Sequence, residues 1–129
     1  MPFNDPRDFL EYLEERKELL RIHNEVDPEF EVGAYIRKTS DQQGPALLFE
    51  NIKGYDIQMV GGIFATRERV LMALETNSEE VYERFYKGTS DVIPPHIVDS
   101  GPCKEVIYKE EDVDITKLPI PVYAEKDGG

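Results

Sequence analysis

The sequence predicts an α/β fold: a small mixed sheet containing a β-hairpin, flanked by about four helices, and then an extended C-terminal tail. Three observations predict it. Capped segments with apolar residues at helical spacing recur up to Gly88. Two short apolar runs, too short for helices, flank a turn at Lys53-Gly54-Tyr55-Asp56. Beyond Gly88 the prolines at 94, 95, 102, 119 and 121 exclude regular helix at and just before those positions.

The first helix opens at Asp5, a capping residue, with Pro6 at the first helical position and Asp8 placed to close a capping box. Phe9, Leu10 and Leu13 share its apolar face. Leu19-Leu20-Arg21-Ile22 reads as a strand. A second helix starts at Asp27-Pro28-Glu29 and carries Val32, Tyr35 and Ile36, with Arg37 and Lys38 suited to its C-terminal end. Ala46-Leu47-Leu48-Phe49 is a buried strand by length. Residues 57–64, interrupted by Gly61-Gly62, form the other arm of the hairpin. Thr66 caps a third helix bearing Val70, Leu71 and Leu74. Ser78 caps a fourth, in which Val81 and Phe85 stack and which Gly88 ends. In the tail, residues 105–108 suit a short strand. Val32, Tyr35, Leu48, Phe49, Val60, Leu71, Leu74 and Phe85 are the expected core, so Leu74→Ala should cost about 2–5 kcal/mol.

The chain of 129 residues carries a net charge of −12, from 27 Asp and Glu against 15 Lys and Arg. That surface repels phosphate backbones and anionic lipids, so neither nucleic acid nor membrane is an expected partner. No apolar run approaches the roughly 20 residues of a membrane-spanning helix. The first residues lack a basic segment followed by an apolar one, and Cys103 is the single cysteine, so a cytoplasmic location is expected.

Candidate chemistry is sparse. Gly61-Gly62 precedes a helix with Arg67 and Arg69 in its first turn, an arrangement able to hold a phosphate or carboxylate. It is neither a dinucleotide fingerprint nor a P-loop, and a tight turn with solvated arginines explains it more simply. Cys103 with His96 would need a base within reach to act as a nucleophile, and their spacing specifies none. The acidic run at residues 109–114 lacks the ligand spacing of a calcium loop and reads as a solvated turn. His23 reads as a surface or hydrogen-bonded histidine. No catalytic constellation and no metal signature emerge.

Several phrases together resemble the UbiD family of prenylated-flavin-dependent (de)carboxylases. They are residues 7–14 with Leu19-Leu20-Arg21-Ile22, residues 44–55 (GPALLFENIKGY), Thr66-Arg67-Glu68-Arg69-Val70, and above all residues 98–106 (VDSGPCKEV) followed by residues 114–121 (DITKLPIP). They keep family order and span nearly the whole chain. One departure is Lys17, where relatives often carry glycine. A lysine there must tolerate a left-handed cap, or the helix end must shift.

The resemblance implies that residues 1–90 are the family's N-terminal α/β domain. It implies that residues 91–129 are a connector opening into a split-barrel domain that binds the flavin beyond this chain. By the same resemblance, the full enzyme removes or adds CO₂ on an aromatic or α,β-unsaturated acid. It would use prenylated FMN with manganese or magnesium, and potassium as a further candidate ion. No catalytic, cofactor or metal residue carries over to this chain, so the chain alone is expected to be inactive and to bind neither flavin nor metal tightly. Its expected partners are the remaining UbiD domains, or a separate catalytic chain, within a homo-oligomer. The exposed stretch from Pro94 to Val122 should seek such a protein partner. The competing expectation is a stand-alone binding or regulatory module that keeps the fold without the chemistry.

Overall fold

A computed structural model describes residues 3–127. In chain order they form α1 (Pro6–Glu15), β1 (Leu19–Ile22), α2 (Glu31–Asp41), β2 (Ala46–Phe49), β3 (Met59–Gly61), α3 (Arg67–Ala73) and α4 (Val81–Ser90). Three single 3₁₀ turns follow, at Pro102–Lys104, Glu110–Asp112 and Ile115–Lys117. The expected order of helices and strands is thus observed. β2 is central: β1 runs parallel to it, with Leu19 opposite Ala46, and β3 runs antiparallel, with Leu48 opposite Val60.

The β2 run is apolar at every position because both its faces are covered. Ala46 and Leu48 pack with Phe9 and Leu13 of α1 and Leu19 of β1, with Met72 and Ala73 of α3 beside them. Leu47 and Phe49 pack on the opposite side with Val26, Val32 and Ile52, and Ile36 of α2 beside them. The result is three layers, with α1 and α3 on one side of the sheet and α2 on the other. Each fully buried large side chain contributes about 1.5–3 kcal/mol by leaving water.

Asp5 caps α1 as expected, accepting the Arg7 amide at 2.5 Å and that of Asp8 at 3.4 Å. The Asp8 carboxylate reaches back to the Asn4 amide at 3.0 Å, one residue before the position a capping box would use. At the other end, Lys17 adopts the left-handed cap (φ 61°). Its amide donates to the Glu14 carbonyl at 3.0 Å, and the Glu18 amide donates to that of Leu13 at 2.9 Å. This is the Schellman arrangement, and it recurs with Gln43 (φ 52°) after α2 and Glu75 (φ 48°) after α3.

Several sequence expectations need correction. α2 begins at Glu31, not after the Asp27-Pro28 signal, and Phe30 precedes it with no side-chain cap. Asn77, not Ser78, caps the turn before α4, accepting the Glu79 and Glu80 amides at 2.9 and 3.0 Å. α4 continues through Gly88 to Ser90, because a helix with both flanks in water tolerates one glycine. Residues 105–108 form no strand, since no neighbouring strand lies alongside to pair with them.

Of the expected core, Val32, Leu48 and Phe49 are buried, and Val60 and Leu71 are half-buried. Tyr35, Leu74 and Phe85 are exposed, at 41%, 44% and 66%. Tyr35 lies at the flank of α2, its ring meeting Phe49 edge-on. Leu74 is the C-cap residue of α3, past the face that packs, and no residue of α4 is buried. Helical spacing identifies a stripe, but only a neighbouring layer buries it.

Residues 91–118 lie on the outside, with Gly101 alone half-buried. The tail then returns: Pro119 is buried, and Val122 pairs with Glu29 just before α2. No helix among the described residues is long and apolar enough to cross a membrane.

Candidate functional site

The turn that joins β3 to α3 holds the one anion-binding candidate the sequence offers. Its two glycines have separate reasons. A Cβ on Gly61 would lie 2.3 Å from Cδ1 of Ile36, so glycine lets α2 pack against the strand end. Gly62 turns the chain at φ +66°. Thr66 caps α3 as expected, its hydroxyl accepting the Arg69 amide at 3.3 Å.

The two arginines do not converge. Arg67 opens α3 on the exposed side, whereas Arg69 is fully buried. Arg69 Nε donates to the Ile63 carbonyl at 2.9 Å, and Nη2 to the Gly62 carbonyl at 3.1 Å. Nη1 donates to Glu18 Oε2 at 2.8 Å. The reading of two solvated arginines is therefore corrected for Arg69. Its planar fork bridges the turn to the α1–β1 connection, and Glu18 balances its charge. Nothing in the sequence pairs Glu18 with Arg69; the two are brought together only by the fold.

A second charged cluster escaped the sequence reading. Arg21 on β1 donates to both carboxylate oxygens of Glu14, at 2.5 and 2.6 Å, and to Glu50 Oε1 at 2.5 Å. Glu50 Oε2 lies 2.5 Å from His23 Nδ1. The Arg21 guanidinium holds both carboxyls below the usual range, with His23 adding to the effect on Glu50. The paired carboxylates in turn raise Arg21. His23 is thus a hydrogen-bonded surface histidine, as expected. The cluster lies in water, and each of its groups is engaged by another.

The remaining candidates lie apart from this turn. Cys103 and His96 are exposed. In the acidic run, the Asp114 carboxylate accepts from the hydroxyl and amide of Thr116, at 2.6 and 3.0 Å, and both bonds lower its pKa. No group of three or more His, Cys, Asp or Glu among the described residues is placed to hold a metal ion.

The UbiD_N family, the 3-octaprenyl-4-hydroxybenzoate carboxy-lyase N-terminal domain, matches residues 10–87, more than half of the chain. The chain belongs to the UbiD family. Solved structures agree along almost its whole length. The UbiD-class enzyme HmfF of Pelotomaculum thermopropionicum, an evolved dimeric form in complex with prFMN, shares 34% identity at a TM-score of 0.82. The match covers 92% of this chain and 28% of that one. The closed form of Sedimentibacter hydroxybenzoicus vanillic acid decarboxylase (ShVdcCD) gives 30% identity and a TM-score of 0.85, over 98% of this chain and 29% of that one. The apo 3,4-dihydroxybenzoic acid decarboxylase of Enterobacter cloacae gives 25% identity and a TM-score of 0.81, over 95% and 28%. The chain therefore spans less than a third of the length of these UbiD-class proteins.

The site geometry bears on the flavin such relatives hold. An FMN phosphate needs convergent donors or a bound cation, and its ring needs an enclosing apolar pocket. The buried donors at the Gly62 turn are the guanidinium nitrogens of Arg69, and all three are engaged within the protein. Arg69 therefore has no guanidinium nitrogen left free for a flavin phosphate.

Proposed function

We propose that this chain is the N-terminal scaffold segment of a UbiD-type non-oxidative (de)carboxylase acting on an aromatic or α,β-unsaturated carboxylic acid. The observation that carries the reading is the pairing of near-complete coverage of this chain with less than a third of each relative. What the relatives hold beyond that share is where the catalytic and cofactor residues belong in this reading.

In the full enzyme, prenylated FMN with a divalent cation supplies the electron sink for decarboxylation. This chain holds neither group. It supplies the three-layer unit and the exposed connector, which pack against the remaining domains or a separate catalytic chain. A cytoplasmic location, supported by the single cysteine, and a homo-oligomeric full enzyme, implied by the family resemblance, complete the proposal.

The test is complementation. The chain is combined with the downstream portion of a UbiD-class enzyme, loaded with prenylated FMN and manganese, and assayed for CO₂ release from a panel of aromatic and unsaturated acids. Release should require both polypeptides. Turnover by this chain alone with the cofactor would refute the scaffold role, and stable assembly without turnover on any acid would support the binding-module alternative.

A further inference from the structure

Phe30 occupies φ 69°, ψ −36°, and the Glu31 amide donates to the Glu29 carbonyl at 2.9 Å across it. This is a γ-turn of the positive-φ form, which a bulky side chain adopts only against steric resistance. Such a conformation persists where its surroundings enforce it.

The returning tail is what enforces it. The Phe30 amide donates to the Val122 carbonyl at 2.8 Å, and the Val122 amide donates to the Pro28 carbonyl at 3.1 Å. Next to this parallel bridge the ring of Tyr123 lies over Gly33, where a Cβ would come within 2.7 Å of Tyr123 Cδ1. The Asp127 carboxylate accepts the Tyr123 amide, and that of Ala124 at 3.2 Å, closing the strap with a turn.

The same residues spell a different structure. Asp27-Pro28-Glu29 is a helix start, with an acidic cap and proline at the first position. Half of that cap is already assembled: Asp27 Oδ1 accepts the Glu29 amide at 2.9 Å, and Glu31 Oε2 accepts the Asp27 amide at 2.8 Å. In a helix starting at Pro28, the Pro28 carbonyl would accept from Val32, and the Glu31 amide would donate to Asp27. Instead Val122 occupies the Pro28 carbonyl, and the Val32 amide reaches past it to Asp27 at 3.3 Å. Strap and helical turn compete for the Pro28 carbonyl, and the Phe30 amide is paired only in the strapped state.

We propose that residues 119–123 form a releasable latch on α2, and that release lets α2 grow backwards by one turn to Pro28. Release frees the Phe30 and Val122 amides to water and re-pairs the Glu31 and Val32 amides in helical order, with Asp27 and Pro28. The balance is set by Tyr123 packing on Gly33 against the strain at Phe30. Latched, the chain leaves Tyr123 in a direction fixed by α2; released, that direction is free. The latch rests on backbone geometry and is independent of the decarboxylase reading.

Amide exchange and backbone chemical shifts of the full chain test it. In the parent protein the Phe30 and Val122 amides should be protected, and Glu29 and Phe30 should have non-helical shifts. Tyr123→Ala should speed exchange at both amides by about tenfold and move the Glu29 and Phe30 shifts to helical values. Unchanged protection of the Ala46 and Glu50 amides, which donate to the Glu18 and Ile22 carbonyls at the two ends of the β1–β2 pairing, would show that the sheet is intact. Phe30→Gly removes the steric resistance and should slow exchange at Val122. The latch is overturned if Phe30 and Val122 exchange at the unstructured rate in the parent protein. It is equally overturned if residues 29–30 stay non-helical once the strap is freed, or if Phe30→Gly fails to slow Val122.

Discussion

Arg69 and Glu18 stand 51 positions apart in sequence and meet at 2.8 Å, tying the start of α3 to the connection between α1 and β1. Removing one member of such a pair leaves the other uncompensated and two carbonyls without a donor. Arg69→Ala should therefore destabilise the fold by about 3–5 kcal/mol. Arg69→Lys should recover little, because an ammonium cannot span three acceptors in one plane. Glu18→Gln should cost less, since Glu18 is partly in water. Urea unfolding at unchanged slope reads all three. A loss below about 1 kcal/mol for Arg69→Ala would mean that the bridge is not structural.

The helix caps give a prediction of opposite sign. Lys17, Gln43 and Glu75 each hold a left-handed backbone that resists a side chain. Glycine at any of them should stabilise by about 0.5–1 kcal/mol, the relief exceeding the extra freedom of the unfolded chain. The three sites lie in separate turns, so their effects should add. Thermal melts of the single and triple variants suffice, and a triple variant no more stable than the parent would remove the argument.

Leu74→Ala should change stability by less than about 1 kcal/mol, not by the amount its helical spacing suggests, because the side chain is 44% exposed. Leu13→Ala, at a fully buried position in the cluster under α1, should cost about 2–5 kcal/mol. Equal losses for the two would contradict the assignment of faces.

The Arg21 cluster predicts an acid limb. Its partners Glu14 and Glu50 have folded pKa values below the ordinary value of about 4.5. A depressed carboxyl stabilises the fold fully above its unfolded pKa and loses that contribution as pH falls through the folded value. Stability from this cluster should therefore decline as pH drops below about 4.5. Relief of the overall negative charge acts the other way, so the diagnostic is a difference. Arg21→Gln should destabilise at pH 7 and converge with the parent in acid. Parallel curves would show that Arg21 contributes nothing through charge.

Trypsin should cut first at Lys104, Lys109 or Lys117, all exposed and outside any helix or strand longer than a single 3₁₀ turn. Arg21 lies in β1, and Arg69 is buried. Mass spectrometry of early fragments would settle the order, and initial cleavage at Arg21 would mean that the sheet opens before the connector.

Local chemistry made much of this fold readable. Asp5-Pro6 and Thr66 cap the helices they were expected to cap, and the unbroken apolar run at residues 46–49 announces a strand covered on both sides. The failures share a cause. Phe85 and Leu74 have the right spacing but no layer above them, and spacing cannot report on a neighbour. Asp27-Pro28 is a sound helix start that a distant strap overrides. At the candidate site, Gly61-Gly62 marks a tight turn, as expected. The buried role of Arg69 depends on Glu18, whose partnership has no signature in the chain.

β2 divides the interior into two clusters and belongs to both, which orders how the molecule can be made. Leu19 finds its partner Ala46 only after all of α2 has been synthesised, whereas β3 meets β2 within one short loop. On the ribosome, β1 emerges early as an orphan edge, and neither α1 nor α2 has a surface to settle on until residues 46–49 appear. Nascent chains halted before Ala46 should remain protease-sensitive, and protection should arise in a single step as β2 and β3 leave the exit tunnel.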